Sequence, residues 1–325
     1  MVKIVRNFLD VAVFLLMITI AILLCVGSNY QNAITYGLGL WVGTLLPALF
    51  PYFFITAVLS SLKSTGKLSS FLSPIFRFAF NISGLGGYAY IMSLISGYPI
   101  GANIASDLKT NNLIGNTEAE RISAIASTSS PMFLIATVGS LMFSNLTFGL
   151  CLYATHLISS IIIGIIFSFY KRKEKPTKNT TLSVGKVDNI LYESVFSSVN
   201  STLYIGGLIT VFSLMLEVLT SLNILTPIIK GLSLIIGNEN LAKGLTFGLL
   251  ECTNGLKLLS VCGITPLSLP LVASICGFGG LCVIIQSLTF LKKAKIKATV
   301  FVCSKLLSMA LNFILGLLIS NVFLF

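Results

Sequence analysis

Apolar residues in this chain neither alternate nor recur once per helical turn; they gather into long runs. Runs near 11–27, 34–60, 122–144, 147–170, 192–222, 266–290 and 297–323 stand between short polar segments. A hydrocarbon layer about 30 Å thick is crossed by roughly 20 apolar residues in a helix. Only helices and closed barrels satisfy their own backbone hydrogen bonds there. The pattern predicts an all-α polytopic membrane protein. Two further apolar stretches, 88–113 and 241–262, are interrupted by glycine, proline or polar residues. Each offers two arms of about ten residues, and such an arm rises only about 15 Å. They predict re-entrant hairpins rather than spans.

Charge placement bears on that reading. With Lys3 and Arg6 inside, the first helix exits, the second returns, and Lys63, Lys67 and Arg77 fall inside. A hairpin that dips in and comes back leaves Lys109, Glu118, Glu120 and Arg121 on the same side. The next two helices bring Lys171, Arg172, Lys173, Lys175 and Lys178 inside, and the sixth long run does the same for Lys292, Lys293, Lys295 and Lys297. All basic clusters then share one face, as the positive-inside bias requires. Counting either hairpin as a full span would invert everything after it. Val11–Gly27 follows two cations, so a signal peptide competes with an uncleaved first helix; the uncleaved helix is the expectation, with Val26-Gly27-Ser28 a weak cleavage site.

The resulting organisation is a transmembrane helix over 1–32, a first repeat over 33–170, a basic cytoplasmic linker over 171–188, and a second repeat over 189–325. Each repeat reads long helix, hairpin, broken helix, long helix. Three spans per repeat is an odd number, which inverts the second copy. Inverted repeats with broken helices near the midplane are a transporter architecture.

Of the 325 residues, 55% are hydrophobic and 10% charged, with a mean hydropathy of +0.96. A soluble domain carries about 25% charge, so the surface is built to face lipid. The net charge of +11 resides largely in the loop clusters and implies anionic headgroups and orientation, not a nucleic-acid site. Seven scattered cysteines and a single histidine give no metal or haem grouping. No cofactor and no enzymatic activity are expected.

Several polar positions inside the apolar runs carry chemistry. Around Gly97, Tyr98, Pro99, Gly101 and Asn103, the proline disfavours helix at the residue before it. The arm that follows points helix N–H groups at the hairpin tip, where they attract anions; a Pro-kinked ordinary helix is the alternative. Ser127 to Ser130 place four hydroxyls before Pro131, with Ser129 and Ser130 the candidate ligands. Their counterpart is Gly277 to Gly280, with Gly279 and the later Gln286; close packing of small residues is the alternative. In the second hairpin Glu251, Asn254, Gly255 and Lys257 surround the expected tip. Glu251 is a candidate proton carrier and Lys257 a candidate anion attractor, against a mutual ion pair or an interfacial tip. His156 is read chiefly as a packing residue, with a proton-linked role as the alternative.

The Leu46-Pro47-Ala48-Leu49-Phe50-Pro51 helix, the Ser96-Gly97-Tyr98-Pro99-Ile100-Gly101-Ala102 hairpin, Ser129-Ser130-Pro131-Met132-Phe133 and the late Gly277-Phe278-Gly279-Gly280 with Gln286 give the chain a family likeness. It resembles the sporulation integral membrane protein YlbJ (SpoVV) family, of the nucleoside-recognition or gate-domain superfamily, from about residue 35 to 325. The resemblance implies a fold similar to concentrative nucleoside transporters. It also implies transport of dipicolinic acid from mother cell toward forespore, across the outer forespore membrane. The expected partners are a small anionic substrate, the lipid bilayer and a second copy of the chain. Alternatives are a non-transporting membrane assembly or signalling factor for spore maturation, and a nucleoside-type solute transporter.

Overall fold

The structure, a computed structural model, describes residues 27–61, 64–177 and 189–323. The expected helix over 11–27 and most of the linker lie outside them. Among the described residues every regular element is helical. Helix α1 runs unbroken through Ser28–Leu40, a π-helical turn Trp41–Leu45, and Leu46–Ser61. Gly43 sits in that turn four residues before Pro47, which has no N–H to return to its carbonyl and whose ring crowds it, so the helix widens there.

A short helix α2 (Ser64–Phe80) follows, bent by 90° from α3 (Gly84–Ser96). The corner is made by Asn81 at φ 52 and by Ser83, whose hydroxyl caps α3. Phe76 lies across Gly87, where a side chain would meet its ring at 2.7 Å. Helix α4 (Ile100–Thr110) returns beside α3. Then come α5 (Asn116–Ile125), α6 (Met132–Met142, wound as a π-helix) and α7 (Leu146–Ser168), the last capped by the Asn145 side chain.

After the linker the order recurs. Long helix α8 (Ile190–Ser221) is followed by short α9 (Thr226–Ile236) and the paired arms α10 (Glu239–Leu250) and α11 (Cys252–Val261). Helices α12 (Ser268–Phe278) and α13 (Gly280–Lys293) are split at Gly279, and α14 (Ala298–Phe323) closes the chain. Among the described residues five helices are long and apolar enough to cross a membrane, or six if the bent α2–α3 pair counts as one.

The differences from expectation are local and physical. The first hairpin begins at Gly84 rather than 88, whereas the break expected in the run 122–144 is present, as a non-helical Ala126–Ser130 between two helices. Helices α2 and α9 occupy segments expected to be loops. Both expose large apolar side chains, Phe78 at 94% and Leu234 at 87%, as helices lying in a membrane interface do. The boundary expected after residue 32 falls inside α1. The start of the linker is folded onto the first half. Arg121 donates to the carbonyls of Tyr170, Lys171 and Glu174, and Glu118 accepts from Thr177. The cluster Glu118, Glu120 and Arg121, expected as a cytoplasmic loop, is buried in α5.

Candidate functional site

Two hairpin tips and two helix breaks converge at the centre of the molecule. Tip one is Gly97-Tyr98-Pro99, with a cis Tyr98–Pro99 bond and Gly97 at φ 83. An added Cβ on Gly97 would stand 3.0 Å from the Ser130 nitrogen, so tip one rests directly on the first break. That break is pinned from three sides. Ser93 on α3 accepts from the Thr128 N–H at 3.2 Å, His156 Nε2 on α7 accepts from the Ser129 N–H at 2.8 Å, and Lys305 Nζ on α14 donates to the Ser127 carbonyl at 3.1 Å. Ser130 Oγ then accepts from the Phe133 N–H at the start of α6.

Tip two is Glu251. Its carboxylate caps α11, accepting from the N–H groups of Thr253 (3.0 Å) and Asn254 (2.7 Å) and from Asn254 Nδ2 (2.8 Å). Burying a carboxylate costs several kcal/mol unless donors replace water, and three donors do so here. The second break turns on Gly279 at φ 84 and Gly280 at φ 75, left-handed values that side chains adopt with strain. A Cβ on Gly280 would meet the Cys252 nitrogen at 3.0 Å, so tip two rests on the second break. The tips meet where the Tyr98 hydroxyl stands 3.9 Å from Cys252 Sγ.

Between them lies a cavity of about 50 Å³. Its polar wall holds Tyr98, Ser129, Ser130, Glu251, Thr253 and Gln286; Gly97 and Phe133 close it, with Leu45 and Leu49 of α1 and Ile205 and Ile209 of α8 opposite. Small-molecule sites usually span roughly 300–1,000 Å³, so the cavity as it stands is smaller than such a site.

The predicted residues divide accordingly. Gly97, Tyr98, Ser129, Ser130, Glu251 and Gln286 come together in one wall. Pro99 is a turn residue, and Gly101 packs on the first break, where a Cβ would strike the Ala126 carbonyl oxygen at 1.8 Å. Asn103 lines a separate crevice, and Asn254 lines another. Gly255 serves the contact between hairpin arms, a Cβ there falling 2.2 Å from the Gly248 Cα. Gly279 lies in the second break, outside the cavity wall. Lys257 is exposed.

The ammonium at the centre is Lys305, which the charge clusters concealed. It is 1% exposed, sits 5.1 Å from the Tyr98 ring centroid, and lies 3.7 Å from the Cβ position of Gly279. It thus touches tip one and both breaks. A lone lysine within an apolar run was its signal in the sequence. His156 lines the small space beside Lys305 and Ser127. With Nε2 accepting from a backbone N–H, its proton belongs on Nδ1.

No protein-family model and no solved structure matches the chain. It is 28% identical over 326 residues to the sporulation integral membrane protein YlbJ of Bacillus subtilis (strain 168), covering 93% of this chain and 80% of that protein. Among the described residues every regular element is helical, with five or six candidate spans, and the likeness to that sporulation integral membrane protein runs along nearly the whole chain.

Proposed function

We propose that the chain is a secondary transporter that carries a small aromatic dianion, dipicolinic acid (pyridine-2,6-dicarboxylate), from the mother cell toward the forespore, seated in the outer forespore membrane. The observation that carries this reading is the buried Lys305 ammonium at the junction of both helix breaks, behind a cavity walled by two hairpin tips. An anion in hydrocarbon needs fixed donors and charge to replace water. At an effective dielectric near 20, a charge roughly 8 Å from Lys305 is stabilised by about 2 kcal/mol. Tyr98, Ser129, Ser130, Thr253 and Gln286 supply neutral donors, and Tyr98 and Phe133 supply rings for an aromatic cargo. The absence of arginine from the cavity wall suits a carrier that must release what it binds.

The recurring element order supports an inverted-repeat architecture similar to that of concentrative nucleoside transporters. Glu251 shares the wall with the cargo, and two like charges in one site disfavour joint ionisation. A proton carried on Glu251 removes that repulsion, making transport anion–proton symport. The test is uptake of labelled dipicolinate by vesicles containing the purified protein. Saturable uptake that is lost in Lys305→Met supports the proposal; uptake no faster than through empty vesicles refutes it. A scaffold for spore maturation would leave uptake absent while Lys305→Met strains still complete normal spores.

A further inference from the structure

Three cavities lie in line along the antiparallel pair α1 and α8. The pairing is fixed by Gly37 against Ser213 and Trp41 against Gly206. Midway sits the central cavity, bounded by Leu45, Leu49, Ile205 and Ile209. At the end formed by late α1 and early α8 lies a crevice of about 370 Å³ lined by Thr56, Asn103, Asp107, Glu193 and Ser198. At the opposite end a crevice of about 340 Å³ is lined by Asn32, Tyr36, Ser213, Glu217 and Asn254. Tyr36 and Thr56 are 20 positions apart in one helix, about 30 Å at 1.5 Å per residue. That is the thickness of the hydrocarbon layer.

Between each crevice and the centre, a long helix and a hairpin tip make a small polar contact. At the inner end the Thr56 hydroxyl, in the crevice wall, hydrogen-bonds the Ser96 hydroxyl, in the central wall. At the outer end Ser213 on α8 accepts from Asn254 Nδ2 at 3.0 Å, and the same Nδ2 bonds Glu251 of the central wall at 2.8 Å. In both cases a long helix is hydrogen-bonded to a hairpin tip; at the inner end Ser96 also donates to the Tyr52 carbonyl of α1, and Phe53 and Ile100 belong to the apolar cluster beside that seam. Hydroxyl and amide pairs of this kind exchange readily for water.

We infer that the three cavities form one passage across the membrane, with Thr56–Ser96 as its inner gate and Ser213–Asn254 as its outer gate. The passage takes a small hydrated anion on the transport reading, on which the identity of the cargo rests; the geometry of the path does not depend on it. Opening one gate at a time exposes the centre to one side.

Cys252 lines the central cavity and is a native reporter. The full chain in right-side-out and inverted vesicles is treated with a small membrane-impermeant thiosulfonate, and Cys252 modification is followed by peptide mass spectrometry. Thr56→Ala is expected to raise the labelling rate at least 5-fold from the face bearing Lys171 and Lys292, and to leave the other face unchanged. Ser213→Ala is expected to do the reverse. Asn103→Cys and Asn32→Cys label from opposite faces if the crevices open as assigned. Either gate variant accelerating labelling from both faces, or neither changing it, overturns the passage, provided melting temperatures match the parent; Ser96→Ala replaces Thr56→Ala if they do not. Dipicolinate uptake is read on the same vesicles. Gated labelling without uptake leaves the passage standing and removes the transport reading.

Discussion

Two cations lie deep in this protein, Arg121 at 2% exposure and Lys305 at 1%, and they are treated oppositely. Arg121 spends its guanidinium on five hydrogen bonds of 2.8–3.0 Å to the carbonyls of Asn81, Tyr170, Lys171 and Glu174. It ties the end of α7 and the linker to the corner between α2 and α3. Lys305 makes one hydrogen bond, to Ser127, and faces one ring. Among the described residues the ion pair within 4 Å is Lys171–Glu120, so neither buried cation has a carboxylate within that distance. A planar fork meets several fixed carbonyls at once, whereas an ammonium is a compact charge with rotatable donors. The saturated cation holds the scaffold together. The unsaturated one retains capacity for another partner.

Substitutions can break that contrast, and the largest effect belongs to Arg121. Arg121→Ala strands carbonyls from four residues at a buried site, at about 1–3 kcal/mol for each that water fails to reach. Loss of most protein from the membrane fraction, with Arg121→Lys giving little rescue, is the expected result on immunoblots and in melting curves. Lys305→Met should instead reduce dipicolinate uptake at least 50-fold while lowering the melting temperature by only a few degrees. A Lys305→Met protein as unstable as Arg121→Ala would make both cations structural.

Ser130→Ala sharpens the picture at the cavity wall, with an expected rise of several-fold in the substrate concentration for half-maximal uptake. Glu251→Gln keeps an acceptor for the α11 cap, and capping changes of this kind cost about 1 kcal/mol. Its signature should be uptake that no longer varies with pH; unchanged pH dependence would assign the proton elsewhere. Smallest of all is Lys171→Met, which removes the Lys171–Glu120 pair at 3.5 Å, with Lys171 38% exposed. Exposed pairs contribute little, and no measurable change in melting temperature is expected.

The hairpins were legible because glycine and proline interrupt apolar runs at positions where a continuous helix is disfavoured. The four-hydroxyl segment before Pro131 and the glycine run at 277–280 were legible for the same reason, and both are helix breaks in the structure. Charge was harder to read. Glu118, Glu120 and Arg121 look like a solvated loop in sequence, because burial there depends on carbonyls donated by segments about 50 positions away. Lys305 was diluted by the apolar residues around it. The assignment of Asn103 and Asn254 to separate crevices depends on which way each hairpin arm is rotated, and sequence spacing near a break does not fix that rotation.

The π-helical turn at Trp41–Leu45 has a consequence for how the chain can change in evolution. A widened turn accommodates one residue more than an α-turn, and each residue of an α-helix advances about 100° around the axis. Every α1 side chain beyond the turn therefore takes its bearing from that extra residue. A one-codon deletion there, harmless to hydropathy and nearly invisible in composition, would swing Leu49 away from the central cavity and Thr56 away from Ser96. The length of this stretch is thus more constrained than its lettering, and relatives should tolerate substitutions within 41–45 far better than a single gap.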